Sequence, residues 1–338
     1  MRAPLRAVSV IVALGAGPLS GQGADRSAPT PLRPVATYSI VARDPATGEL
    51  GVAVQSHWFS VGPIVAWAEA GVGAVATQSF VEPAYGPRGL DLMRSGRPAP
   101  EALAALIAAD SSRAVRQVAM VDAQGRVAAH TGASAIAAAG HHLGAQYSVQ
   151  ANMMDNPRVW PAMAEAFEKA QGDLAERMLA ALDAAQGAGG DIRGKQSAAI
   201  VVVRPASTGR PWADRKFDLR VEDDPDPVGE LRRLVRLQRA YLDLNAGDEH
   251  VTRGDIPAAM ASYAAAMERL TDPETNGEAP FWVGVTLASQ GRVEEALPYL
   301  RRAYVVDRKW AELVTRLPAS GLLPDDALAR RLAGEMAR

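Results

Sequence analysis

The chain of 338 residues contains no cysteine, which excludes disulfides, thiolate metal sites and cysteine nucleophiles at once. It also lacks a charge excess: 36 basic residues against 38 acidic leave a net charge of -2, too little for a bulk field that would gather nucleic acid or an anionic membrane. Histidine is scarce, with His141 and His142 adjacent and His57 and His130 without neighbours at ligand spacing, so no transition-metal site is expected. There is no glycine-rich phosphate fingerprint and no serine elbow, which sets aside nucleotide chemistry and the usual serine-hydrolase design. No cofactor is expected.

The apolar stretch at residues 7–17, AVSVIVALGAG, falls short of the roughly 20 residues of a membrane span. Behind Arg2 and Arg6 it reads as an export signal over residues 1–23, with cleavage before Ala24, so the protein is expected in the periplasm or outside the cell with no membrane span left. Residues 24–36 form a proline-spaced linker. Beyond them, 48% hydrophobic and 22% charged content suits two globular domains.

Residues 37–56, TYSIVARDPATGELGVAVQS, predict a hairpin: two alternating runs around an Asp, Pro and Gly turn. Strands are also expected at 73–79 and 196–203, from Phe217 onward, and in a hairpin around Gln124 and Gly125. Helices are expected over 86–96, 98–109 and 158–186, the last broken near Gly172. Hairpins with helices inserted in blocks argue for an α+β domain over 37–227. The acidic, proline-containing DDPDP at 223–227 closes it, and 228–338 reads as all helical, opening on a helix at 228–245.

Within the helical part, Gly254, Ala259, Tyr263 and Ala266 align without a gap to Gly291, Ala296, Leu300 and Ala303. These small and large positions resemble tetratricopeptide hairpins, at about 240–272 and 277–310, with a plain helical hairpin as the competing reading. Such a stack offers a surface to a protein partner. No residue pattern demands a homo-oligomer, though sheets or helices could pair.

Thr37 opens the first strand directly after the linker. A threonine hydroxyl needs a base, and a free α-amine on the same residue, with an ordinary pKa of about 7.7–8.0, can serve as one. That requires removal of Ala36. Other polar residues cluster at strand ends: Ser56 and His57, Gln78 and Ser79, Gln150 and Asn152, and the run Asp191, Arg193, Lys195, Gln196 ahead of an apolar strand. Each alone reads as an ordinary loop residue; their shared placement suggests a cleft.

TYSIVARDPATGELGVAVQS, GVGAVATQSFVEPAYGPRGL, YSVQANM, GDIRGKQSAAIVVV and DDPDPVGELRRL, in this order, resemble the bacterial family DUF1028 over about residues 37–237. The resemblance implies the N-terminal nucleophile hydrolase superfamily, with a four-layer αββα sandwich and hydrolysis of a small amide or peptide. On that model Thr37 is the nucleophile, Asn152 or Gln78 steadies the oxyanion, and Asp191 completes the catalytic group. Ser56, His57, Gln78, Arg193, Lys195 and Gln196 would then bind substrate. Two positions depart from the family pattern: Glu82 replaces an amide-type residue and Ala151 a glycine. The alternative from a different class is a catalytically silent sandwich that acts, with the repeats, as a binding module.

Overall fold

A computed structural model describes residues 34–338; the signal-like stretch 1–23 and residues 24–33 of the linker lie outside the described residues. The opening hairpin pairs β1 (Thr37–Arg43) with β2 (Leu50–Ser56), in register from Thr37 opposite Ser56 to Arg43 opposite Leu50. Asp44 ties its turn by accepting the N–H groups of Ala46 and Thr47 at 2.8 and 2.9 Å, while Gly48 supplies the left-handed backbone (φ 75°).

There follow α1 (Gly62–Val65), β3 (Ala66–Glu69), β4 (Gly73–Ser79), α2 (Tyr85–Arg94), α3 (Ala99–Ala109), β5 (Arg116–Asp122) and β6 (Val127–Thr131). Next come β7 (Gly140–Gly144), β8 (Tyr147–Asn152), α4 (Val159–Lys169), α5 (Leu174–Gly187), β9 (Ser197–Val203) and β10 (Arg215–Val221). The expected break at Gly172 is real: φ there is 102°, and the Asp173 carboxylate caps α5 by accepting the Glu176 N–H at 3.0 Å. Not foreseen were α1, β3 and β7. The first two are only four residues long, and β7, GHHLG, sits at a sheet edge with half-exposed side chains and no hydrophobic alternation.

Two antiparallel sheets result, one six-stranded in the order β10-β9-β2-β1-β8-β7 and one four-stranded in the order β3-β4-β5-β6. β1 lies inside the larger sheet, between β2 and β8. Period-2 alternation divides its side chains. Tyr38, Ile40 and Ala42 join a core with Met163, Phe167, Met178 and Leu182 of α4 and α5; Val41 joins an apolar cluster with Val52, Val54, Ala74, Ala119 and Val121 from both sheets. The other face of the smaller sheet, through Val75, Val118 and Met120, packs on Leu90, Met93 and Leu103 of α2 and α3.

The helical part does not begin as a separate body. α6 (Pro227–Thr252) runs 26 residues, seven beyond the expected end at 245. Val228, Leu231 and Val235 in its first half belong to the sheet-and-helix core, and Ala240 and Leu244 in its second half to a helical core. Arg239 fastens it to α5 through Asp173 (2.7 Å) and Glu176 (2.5 Å), and Arg232 adds ion pairs to Glu176 (3.0 Å) and Asp183. The remaining elements are α7 (Ile256–Arg269), α8 (Glu278–Ser289), α9 (Val293–Val306), α10 (Lys309–Val314) and α11 (Asp326–Met336).

Equivalent positions of the two helix hairpins behave alike. Gly254 and Gly291 both turn the chain with left-handed φ (77° and 76°), and Ala259 and Ala296 are both fully buried. Gly247 and Gly284 also correspond: a Cβ would come within 2.3 Å of the Tyr263 ring at the first and 2.5 Å of Leu300 at the second. A rigid ring yields less than a leucine. Gly247→Ala is therefore expected to lower the unfolding free energy by about 1–2 kcal/mol in urea titrations, overpacking outweighing the helix propensity gained, while an unchanged midpoint would contradict this close approach.

Candidate active site around Thr37

Thr37 is fully buried, with Ser56 opposite it on one flanking strand and Asn152 on the other. Val35 and Ala36, directly before it, are buried too. Val35 forms a two-bond antiparallel bridge with Ser79, at 2.7 Å for the Val35 N–H and 3.1 Å for the Ser79 N–H. Residues 35 and 36 thus enter between the sheets, because the ends of β4 and β1 leave backbone groups free to pair.

Two donors converge on the Ala36 carbonyl oxygen. The Ser56 hydroxyl donates one short hydrogen bond, and the Arg193 guanidinium donates another through Nη2 at 3.2 Å. The Thr37 hydroxyl lies beside them, 3.3 Å from Ser56 Oγ and 3.0 Å from the Val35 carbonyl oxygen. Arg193 is held in place by Asp191, whose carboxylate takes Nε at 3.1 Å, Nη2 at 2.9 Å and the Arg193 N–H at 2.9 Å. The same carboxylate accepts the His57 N–H at 3.0 Å, tying the loop after β2 to the loop before β9. Phe59 and Ile192, both exposed, stand on those loops.

Beneath Thr37 the space between the sheets is polar. Gln78 donates to the Thr37 carbonyl at 3.2 Å and to Gln117 Oε1 at 2.7 Å; Asn152 donates to the same two oxygens at 3.4 and 3.0 Å. Gln117 passes the connection on through Nε2 to the Ala151 carbonyl (2.9 Å) and to Thr131 (2.9 Å), which meets His141 Nδ1 at 2.8 Å. Deeper still, Gln150 donates to Ser39, and Ser39 to Gln78 Oε1, each at 2.6 Å. A buried amide without a partner costs about 1–3 kcal/mol, so each of these pairings offsets a penalty of that order.

Two buried atoms in it have no partner among the described residues: Asn152 Oδ1 and Ser79 Oγ. Ser79 and Met153 hold left-handed backbone, φ 70° and 58°, at the ends of β4 and β8. Each such non-glycine conformation costs on the order of 1–3 kcal/mol and tends to gather where geometry serves function. The phenol of Tyr38, next to Thr37, is held well above its ordinary pKa by burial and then by the charges of Asp191, Asp183 and Asp226, so it stays neutral.

Of the residues singled out from sequence, Thr37, Ser56, Gln78, Asn152, Asp191 and Arg193 come together. Asn152 and Gln78 face the carbonyl of Thr37, whereas Ser56 and Arg193 hold the carbonyl before it. Lys195 and Gln196 turn away to Asp226 and Asp223, both at 3.1 Å, and the His57 ring meets the Lys195 carbonyl at 3.3 Å. The side chains of Glu82 and Ala151, expected from sequence to matter for a cleft, lie off this geometry: Glu82 accepts the Ala84 N–H at 3.1 Å, and the Ala151 methyl faces the α4 and α5 core. Sequence reasoning missed Gln117 and Ser39. Their signal was a polar residue at an inward position of an otherwise apolar strand. Among the described residues, no group of three or more His, Cys, Asp or Glu is arranged to hold a metal ion.

Two outcomes follow from the network. Gln117→Leu strands the Ala151 and Gly140 carbonyls and should cost at least about 2 kcal/mol in urea unfolding; a neutral result would mean that the network is not satisfied as described. The imidazole of His141 is held below its ordinary pKa of 6.5 by burial and then by the charges of His130 and His142. The unfolded chain therefore takes up this proton first. Its contribution to stability is complete above about pH 6.5 and is lost as pH falls toward the lower folded value. His141→Gln should flatten stability against pH in that window alone.

The family model described as "Family of unknown function (DUF1028)" matches residues 37–231, which spans every element from β1 into α6. No curated protein matches the chain. Among solved structures, the crystal structure of protein SPO2555 from Silicibacter pomeroyi, described with the same family, is 33% identical with a TM-score of 0.53, over 59% of this chain and 87% of that one. With more than half its length matched by the family model, and the match opening at the threonine on which the polar groups converge, the chain belongs to the DUF1028 family.

Proposed function

We propose that the chain is an exported hydrolase of small amide or peptide bonds, in which removal of everything before Thr37 frees a nucleophile that carries its own base. The observation that carries this reading is the double grip of Ser56 and Arg193 on the Ala36 carbonyl, beside the Thr37 hydroxyl. Hydrogen-bond donors aimed at a carbonyl oxygen stabilise the charge that gathers there when a nucleophile adds. Two sheets packed face to face, with helices against their outer faces, also suit the αββα sandwich of N-terminal nucleophile hydrolases. The two helix hairpins would serve as a tetratricopeptide-like surface for a protein partner.

The same contacts suit removal of the linker by the chain itself. Thr37 Oγ closes a five-membered ring on the Ala36 carbonyl carbon, the C–N bond breaks, and the nitrogen leaves as an amine carrying the proton that began on the hydroxyl. Water then hydrolyses the Ala36 ester, releasing the linker carboxylate and restoring the hydroxyl. In the mature site the α-amine takes the Thr37 proton and passes it to the leaving amine of a substrate. Asn152 Oδ1, without a partner among the described residues, is an acceptor in register with that amine. Asp191 acts through Arg193, as a positioning residue.

Purified full-length protein should yield a chain that begins at Thr37 by intact mass. Thr37→Ala should stay uncut and inactive on amide substrates, and Ser56→Ala or Arg193→Gln should slow the cut at least tenfold, as loss of an oxyanion donor does. Full amide hydrolysis by a chain that still carries Ala36, or by Thr37→Ala, would sink the reading.

A further inference from the structure

Residues 35 and 36 are built into the interior instead of crossing over it. Val35 is fully buried in the apolar cluster that holds Val54, Val61 and Val81, and its N–H and carbonyl both pair with Ser79. Ala36 is also fully buried, and its carbonyl meets Ser56 and Arg193. The acyl side of the bond before Thr37 therefore occupies a formed slot. The slot has three parts: a backbone edge at Ser79, room for one branched aliphatic side chain, and room for a methyl group. Ser79 keeps a left-handed backbone at this edge, and its hydroxyl, without a partner among the described residues, adds a buried polar atom there.

We propose that in the mature protein this slot binds the acyl half of the substrate: an extended peptide with a small residue at the attacked carbonyl and a branched aliphatic residue before it. This rests on the hydrolase reading given above. The chemistry links the two events, because self-cleavage passes through the ester of Ala36 on Thr37 Oγ. A peptide amide ending in Val-Ala would give the same ester when Thr37 Oγ bonds to its carbonyl carbon, the C–N bond breaks, and the proton leaves with the amine. Water completes either cycle. A bulkier residue in the place of Ala36 meets a filled interior, and one without a side chain in the place of Val35 forfeits the apolar burial. The released linker, ending in a carboxylate, is on the same grounds a competitive ligand of the site.

The test uses a chain beginning at Thr37, obtained by self-cleavage or by a protease site placed directly before it. Every described strand and helix begins at Thr37 or later, so none is lost. Acetyl-Pro-Val-Ala, as acid and as amide, is titrated calorimetrically into the Thr37→Ala form, and the acetyl-Pro-Val-Ala p-nitroanilide is assayed with the active form. Replacing Val by Gly should weaken binding and kcat/KM about 10- to 100-fold, N-methylation of that Val about tenfold or more, and Phe in place of Ala should abolish both.

Equal binding of the altered peptides, or none by any, overturns the slot. Binding without turnover keeps the slot and removes the hydrolase reading, whereas Thr37-dependent turnover of plain acetyl anilides with no peptide preference does the reverse. In the uncut full chain carrying Thr37→Ala, Val35→Gly should speed hydrogen exchange of the Ser79 amide at least tenfold, and unchanged exchange would overturn the slot independently of how the shortened chain folds.

Discussion

Burying amide side chains between two sheets is tolerable only when every donor finds an acceptor, and the architecture around Thr37 is organised by that requirement. Gln78 and Gln117 belong to the smaller sheet, Asn152 and Gln150 to the larger, and their side chains join across the gap. A slip of one residue would turn every inward side chain to the opposite face, and the paired amide groups here add to that penalty. The register of β1 between β2 and β8 is thereby fixed at the position where it matters for chemistry. Thr37 is held by its own carbonyl, which leaves the hydroxyl and the bond before it free for other contacts.

Those other contacts are of a different kind. The polar network below Thr37 is neutral, whereas the grip on the Ala36 carbonyl includes a guanidinium held by a carboxylate. Charge is thus concentrated on one side of the threonine, at the oxygen where negative charge would develop. Arg193 keeps partial access to solvent and Asp191 has almost none, so the carboxylate is the fixed member and the guanidinium the one that reaches. A salt bridge of this type contributes less to stability than to direction.

Much of the fold could be read from the chain because alternation and turn chemistry are local. The hairpin at 37–56 and the helix break at Gly172 each announce themselves within a few residues. What lay beyond reach was pairing between distant segments. Nothing near Ser56 indicates that β2 continues onto β9, nor near Gln117 that its amide reaches the carbonyl of Ala151. Strand ends suggested a cleft and named most of the residues in it, but not their facing: Lys195 and Gln196 sit two and three positions from Arg193 and still point to the acidic loop ahead of α6. Short edge elements such as β3 and β7 escaped because they bury too little to leave a hydrophobic pattern.

α6 carries a consequence for the chain as a mechanical object. One uninterrupted helix supplies a wall of the sheet layer with its first turns and the opening wall of the helical stack with its last. No hinge separates the two, and the arginines that face α5 brace the helix near its middle. Severing it anywhere would bare apolar surface on both fragments, so the helical region is less an appended module than the far end of a lever whose short arm rests on the same sheet that holds the threonine.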